Sequence, residues 1–437
     1  MGALIVKHGP AVLLAAVLGA LLPLDARSAD MLSNSGEAAR VRCSANSDVT
    51  DALKAALTAA KTSRGKVVLS AESNGASCDL REEIYILPGM NLTGENSPVI
   101  KLNRSGTAFH GDSRSSNFLI GQLAIDGSNA ARSSAIRLSG SRDGRIEGVR
   151  LINPADGIAL LDGTTGVVIK DFASVGSRAH GITIKSSFGN KVVGAKLENQ
   201  AGFGVILSGE SYDNHLTRLQ TTKSRLELVG MTYQTHDNTL TDSSAKDTGD
   251  NCYSITGHNN FLRNLTGESC AGNGIAFYGS FNTLEGGTFR NNNQQFSVRS
   301  AWNGGVAFLQ GFGGVAQHNK VSGVVVDDDQ PARTQQVGVL VQKGGYHEWR
   351  PGVTVNAGTY VISGMELYVA RNSGVTGAER PAGPGTAFDG AVRWDHANSF
   401  AGTVQPDFNS AINVTVRRAA KEAREDRSQA RSNVGTR

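Results

Sequence analysis

Proline and aromatic residues are scarce in this chain of 437 residues, at 10 and 6% respectively, whereas glycine is plentiful, at 53. That balance suits many tight turns between short strands. Disorder throughout is excluded, since 39% of the residues are hydrophobic. No basic stripe stands out: 43 basic residues face 39 acidic ones, for a net charge of +4, so nucleic acid is not an expected partner. A hydrophobic run long enough to span a bilayer is also missing, because Ala11 to Leu24 falls short of the roughly 20 residues required. This run follows Lys7 and His8 and precedes "DARSAD", where Ala26 and Ser28 or Ala29 flank a candidate cleavage point. The pattern predicts a signal peptide over 1–29, a secreted or periplasmic protein, and no membrane association after cleavage. Cysteine is limited to four, with spacings unlike a zinc site. In an exported chain these read as disulfides. Of the three connectivities on paper, Cys43 with Cys78 and Cys252 with Cys270 are the sequence-local pairings.

Self-similarity fills the middle of the chain. "ADGIALLDG" at Ala155, "AHGITIKSS" at Ala179, "GFGVILSGE" at Gly202, "DNCYSITG" at Asp250 and "GNGIAFYGS" at Gly272 each set a small or polar turn before alternating apolar residues. Asp156 to His180 is 24 residues, His180 to Phe203 is 23, and Asn251 to Asn273 is 22. Period-2 alternation repeating every twenty-odd residues, without helical spacing between strands, is the signature of a parallel β-helix. One coil alone cannot bury its apolar face, so stacking supplies core and ladder together. "GHNN" at Gly257 and "NNN" at Asn291 suit the turns, because Asn tolerates left-handed backbone. Asp48 to Ala71 begins with helical apolar spacing, with Thr50 or Asp51 able to cap it, and continues into a strand; this segment reads as an amphipathic cap over the first coil.

The cap followed by coils resembles the entry to the pectate-lyase-like superfamily. The fold class expected is all-β: a right-handed parallel β-helix with an N-terminal capping helix over 30–343, then a small β-module over 344–396. That module, from "YHEWRPG" to "AVRWDH", resembles one found in phage tail proteins and polysaccharide-processing enzymes, which implies an accessory, sugar-binding role. Its candidates are Trp349, Tyr360, Tyr368 and Trp394, since sugar CH faces pack on such rings, although a small module also buries rings as its only core. Residues 397–437 read as a terminal strand and a charged tail, either a solvated helix or a disordered end.

"GDNC" followed by "CAGNG" resembles the polygalacturonases, glycoside hydrolase family 28, over about thirty residues. The resemblance implies a disulfide between Cys252 and Cys270 and a carboxylic acid and carboxylates that cleave a glycosidic bond. It places Asp250 at the first catalytic carboxylate, Asn251 where the family has a second, Asn273 where it has histidine, and Arg299 at its arginine; the family's lysine is absent. One coil upstream, where the family has another Asp, Glu227 of "LELVGMT" is the nearest carboxylate and reads as part of a strand. Asn251 and Asn273 at matching turns equally predict an asparagine ladder that needs no substrate.

A second constellation is Asp156 with His180, at equivalent positions of adjacent coils about 4.8 Å apart. A carboxylate beside an imidazole raises the histidine's pKa and sets its tautomer, as a general base or acid requires. Lys185 shares that coil, and Ser224 and Arg225 read as continuing the column, so Lys185 and Arg225 are candidates to neutralise a uronate carboxylate. A third is Tyr233 to Asp250, read as the longest inter-strand segment, with Asp237, Asp242 and Asp247; its "HDN" at His236 resembles the catalytic His-Asp of mannuronan epimerases. No cofactor is expected for a hydrolase, while a lyase would add Ca²⁺ held by such carboxylates. The functional expectation is an exported enzyme cleaving an acidic polysaccharide, polygalacturonase-like, acting as a monomer or trimer. A lyase or uronate epimerase, and a polysaccharide-binding scaffold or adhesin, are the alternatives.

Overall fold

The computed structural model describes residues 38–426 except 64, 103–106, 131–133, 295–303, 312–313, 343–346, 364–365, 384, 400–407 and 421. The signal-peptide expectation over 1–29 therefore lies outside the described residues, as does Arg299. Among the described residues no helix is long and apolar enough to cross a membrane.

Each coil contributes one strand to a 13-stranded front sheet and, in most coils, two to a 22-stranded back sheet. One coil consists of Asp156–Leu161, Val168–Lys170 and Ala173–Val175, and the next of Ile182–Lys185, Lys191–Val193 and Lys196–Glu198. Successive coils pair in parallel, Ile158 with Ile182, Val168 with Lys191 and Ala173 with Lys196, and about ten turns stack this way. Inward residues such as Ile158, Ile182, Val205, Val229 and Tyr253 are fully buried and form one continuous core.

The chain turns its corners on single residues in left-handed backbone. Asp171, Gly194, Arg218, Asp242 and Asn264 occupy the corner between the two back strands of successive coils, all with φ between 50° and 74°. Only glycine, asparagine and aspartate enter this region at little cost, which explains the composition at these points. Arg218 shows that register with its neighbours outweighs the penalty of about 1–2 kcal/mol. Beside another corner, Asn190, Asn214, Asn238, Asn260, Asn282, Asn319 and Asn409 form a ladder. Each Oδ1 after the first accepts both the backbone N–H and the Nδ2–H of the preceding member, at 2.8–3.1 Å.

Helix Thr50–Ser63 closes the N-terminal end with Val49, Leu53, Leu57 and Ala60 turned into the core. Its cap is Asp48, whose Oδ1 accepts the N–H of Thr50 at 3.0 Å and its hydroxyl at 2.6 Å, in place of Thr50 or Asp51. The disulfides are Cys43–Cys78 and Cys252–Cys270, the sequence-local pairing.

The small module is an insertion. Its 5-stranded sheet, mostly antiparallel, falls between front-sheet strand Val337–Gln342 and back-sheet strand Ser410–Ile412, after which the coils resume. Thr415–Arg417 pairs with Lys320–Asp327, and Glu422–Asp426 pairs with Val337–Gln342. The charged segment expected to be a solvated helix or disordered end thus supplies, up to residue 426, a closing coil, tied down by Arg418 on both oxygens of Asp327. Alternation in "INVTVRR" carries that coil, and the charge beside it hid the pattern.

Candidate active site

Ile158, Ile182, Val205, Val229, Tyr253 and Ile275 stand in one row of the front sheet. Two residues before each lie Asp156, His180, Phe203, Glu227, Asn251 and Asn273, so the separate constellations of the sequence belong to a single column. Here the chain bends into the front sheet, and next-rung N–H groups take side-chain partners. Asp156 Oδ1 accepts the N–H of His180 at 3.1 Å, and His180 Nδ1 accepts that of Phe203 at 3.1 Å. Asn251 Oδ1 accepts the N–H of Asn273 at 2.8 Å, and Asn273 Oδ1 that of Gly304 at 2.9 Å. Four residues of different chemistry perform one structural task, satisfying a buried donor where strand pairing lapses.

That arrangement corrects the base assigned to His180. Its Nδ1 lone pair faces a backbone N–H, so the neutral ring carries its proton on Nε2 and presents a donor. Asp156 bonds the backbone of His180, not the ring, and its other oxygen accepts Ser134 Oγ at 3.3 Å. Burial pushes the His180 pKa down, with Asp156 only partly offsetting it, the opposite of the expected rise. Burial likewise pushes Asp156 up, and the nearby histidine offsets it in part. Asp156 and Asn251 stand four rungs apart, about 19 Å, so they do not share one reaction centre. Ser224 does not continue the column: it is buried, with its hydroxyl 2.7 Å from that of Thr221. Arg225 is exposed in the turn ahead of Glu227, and Lys185 is exposed at the end of Ile182–Lys185.

Glu227 breaks the pattern. It lies in the turn before strand Val229–Met231, not within a strand, and is only 6% exposed. Its Oε1 accepts the hydroxyl of Ser254, and the N–H of Asn251 above it goes to Asp250 Oδ1 at 2.8 Å. Asn251 Nδ2 bridges Asp250 Oδ1 and Ser254 Oγ, both at 3.1 Å. The outcome is a compact group of Glu227, Asp250, Asn251 and Ser254. Burial, reinforced by the charge of Asp250, pushes the Glu227 carboxyl up to about 8, so it holds its proton at neutral pH. Sequence reasoning named this residue as the nearest carboxylate but set it within a strand; counting two positions back from each inward Ile or Val places it in the column.

Asp237, Asp242 and Asp247 do not gather into a loop. Each sits at a separate corner of one regular coil, around strands Thr239–Thr241 and Ser244–Lys246, and His236 stacks between Tyr212 and His258 while its Nδ1 meets Asp237 Oδ2 at 2.7 Å. Among the described residues no group of three or more His, Cys, Asp or Glu could hold a metal ion. In the module, Trp394 and Tyr368 are fully buried with Val361 and Val392, and Trp349 packs on them with its Nε1–H bonded to Asp389 Oδ2 at 2.5 Å. Trp394 is thus core, not a sugar platform; a module this small has little else to bury. The side chain of Tyr360 lies outside the described residues.

No family model and no curated protein sequence matches the chain. Among solved structures it is similar to the A-module of mannuronan C-5 epimerase AlgE4 of Azotobacter vinelandii. The TM-score is 0.61 at 12% identity, covering 89% of this chain and 97% of the module. The catalytic domain of a GH87 alpha-1,3-glucanase gives 0.55 at 12%, covering 93% and 69%. The Dettilon tailspike protein gives 0.55 at 12%, covering 76% of each chain. Together with the register of the coils, these likenesses establish the fold as a right-handed parallel β-helix.

Proposed function

We propose that this protein is an exported enzyme that cleaves an acidic polysaccharide hydrolytically, with Glu227 and Asp250 as its reacting pair. The observation that carries the reading is the buried Glu227 beside Asp250, the polar member of the column that accepts no N–H from the next rung and whose carboxyl burial and the Asp250 charge push up to about 8. A carboxyl that keeps its proton beside a second carboxyl group divides the two into an acid and a base. In the reaction Glu227 gives its proton to the glycosidic oxygen as the C1–O bond breaks. Asp250 takes a proton from the water whose oxygen bonds C1, and the two protons then re-equilibrate through solvent. Support comes from the polygalacturonase-like "GDNC" and "CAGNG", from two disulfides in keeping with export, and from neighbours named as a polysaccharide epimerase and a glucanase. A base at His180, as a lyase or epimerase would need, is disfavoured because its Nδ1 lone pair is taken by the N–H of Phe203, which leaves the ring proton on Nε2.

The second reading, a binding scaffold, is favoured by Asn251 and Asn273, whose amides are taken up by bonds within the column. The test is incubation of the protein with polygalacturonate, alginate and an α-1,3-glucan, following reducing ends and ultraviolet absorbance. New reducing ends without absorbance, lost in Glu227→Gln and Asp250→Asn, are expected. Undiminished cleavage by Glu227→Gln overturns the assignment, and binding without products in the unaltered protein establishes the scaffold.

A further inference from the structure

The outer surface of the front sheet changes character at the Glu227 group. Arg137, Thr183, Ile206 and Ser254 lie in one outward row, with Ala159 and Gly230 between them. Arg137 is exposed and the other three named first are half-exposed, as is Ser208 in the parallel outward row, where Lys185 is exposed. Small members such as Ala159 are covered by their neighbours, so the large side chains decide whether the surface is open.

Beyond Ser254 the same row continues through Ala276, Ala307 and Leu340. Here every large outward side chain is covered: Leu340 in this row and Tyr278 and Leu309 in the parallel one are 0% exposed. With Ala276, Ala307 and Val337 they form an apolar cluster separate from the helix core. An outward leucine or tyrosine on a free sheet face would keep part of its surface in water, as the half-exposed Ile206 does. The front face is therefore open on the N-terminal side of the carboxyl pair and closed immediately past it. From Arg137 to Ser254 the open stretch covers six rungs, five spacings or about 24 Å.

We propose that the polysaccharide lies along the open rungs with one end stopped at the covered rungs, so that this enzyme cuts at chain ends and releases short products. The inference rests on Glu227 and Asp250 being the reacting pair and adds how the substrate reaches them. Asp250 and Ser254 stand at the last open rung and Glu227 one rung before it, so a chain bound on the open side of them has room for only a short piece on the other. An interior segment of a long chain would have to pass through the space that covers Tyr278, Leu309 and Leu340.

Two measurements test this. Single-cysteine variants Ile206→Cys, Leu309→Cys and Leu340→Cys are treated, folded, with a polyethylene-glycol maleimide. Modification of the first, with the other two reacting only after denaturation, is expected; ready modification of Leu309→Cys and Leu340→Cys overturns the closed end. On whichever of polygalacturonate, alginate and α-1,3-glucan yields reducing ends, one short product from the earliest times with little loss of viscosity is expected. A ladder of intermediate lengths with a steep fall in viscosity overturns end-cutting while leaving the reacting pair intact, provided Glu227→Gln is inactive. No turnover on any of the three, or turnover indifferent to Glu227→Gln, overturns the reading of the pair and this inference with it.

Discussion

Replacing Glu227 by glutamine should change how stability depends on pH in a way that follows from burial alone. In the unfolded chain this carboxyl titrates at its ordinary value of 4.5, and in the folded protein at about 8. Below the first value it is protonated in both states and contributes no pH dependence. As pH rises from there to about 8, only the unfolded chain releases the proton, so the folded state loses about 1.4 kcal/mol per pH unit at this site. The loss reaches about 5 kcal/mol and levels off once the folded carboxyl ionises near 8. Glutamine keeps the acceptor for Ser254 and the volume but does not titrate. The measurement is urea unfolding of both proteins between pH 5 and 9, read as the difference between them, which cancels every other titrating group. The variant should gain on the unaltered protein across that range, by several kcal/mol in total. A difference that stays flat with pH would refute the protonated state of Glu227 at neutral pH, and with it the acid of the proposed reaction. Asp250→Asn supplies a further check, because removing the neighbouring charge lowers the folded carboxyl's pKa, so the rise should begin at the same pH, level off at a lower one and be smaller.

Asn238→Ala should cost about 1–3 kcal/mol, since it strands the backbone N–H of Asn214 inside the ladder; unfolding by denaturant measures it. His180→Leu should destabilise by about 1–3 kcal/mol by leaving the N–H of Phe203 unpaired, while turnover per folded molecule on an accepted polysaccharide stays the same. A loss of turnover out of proportion to the folded fraction would return His180 to the chemistry. Trp394→Ala should cost about 3–5 kcal/mol by emptying the module core. Limited proteolysis within the module should report this before any change at the helix.

The coils were legible because a parallel β-helix repeats its inward positions at nearly constant spacing, and apolar alternation at Ile158, Ile182 and Val205 survives every change on the outside. The cap helix was legible by periodicity, but its capping residue was not. Asp48 reaches Thr50 from two positions earlier, and nothing in the local sequence prefers it over Thr50 itself. The closing coil was obscured because its strand Glu422–Asp426 is charged and its partner strand lies some eighty residues earlier, across the inserted module. Of the site, Asp250 was visible through its motif. Glu227 was not, because burial and a neighbouring charge make it unusual, and neither is written in residue type.

The column from Asp156 to Asn273 also shows why motif matching misleads on this fold. At the bend into the front sheet a buried N–H needs an acceptor on the rung before it, and aspartate, asparagine and histidine all supply one. A polar residue there is therefore no sign of chemistry by itself, and the replacement of a family's carboxylate by Asn251 preserves the structural bond while removing a titrating group. The polar residue to look for is the one whose side chain takes no N–H from the next rung. Glu227 meets that condition because Asp250 has taken over the N–H of Asn251, which frees the glutamate to face Ser254 and to keep its proton. If the chemistry lies anywhere along the column, the same hydrogen-bond accounting that sets aside Asp156, His180 and Asn273 places it at this rung.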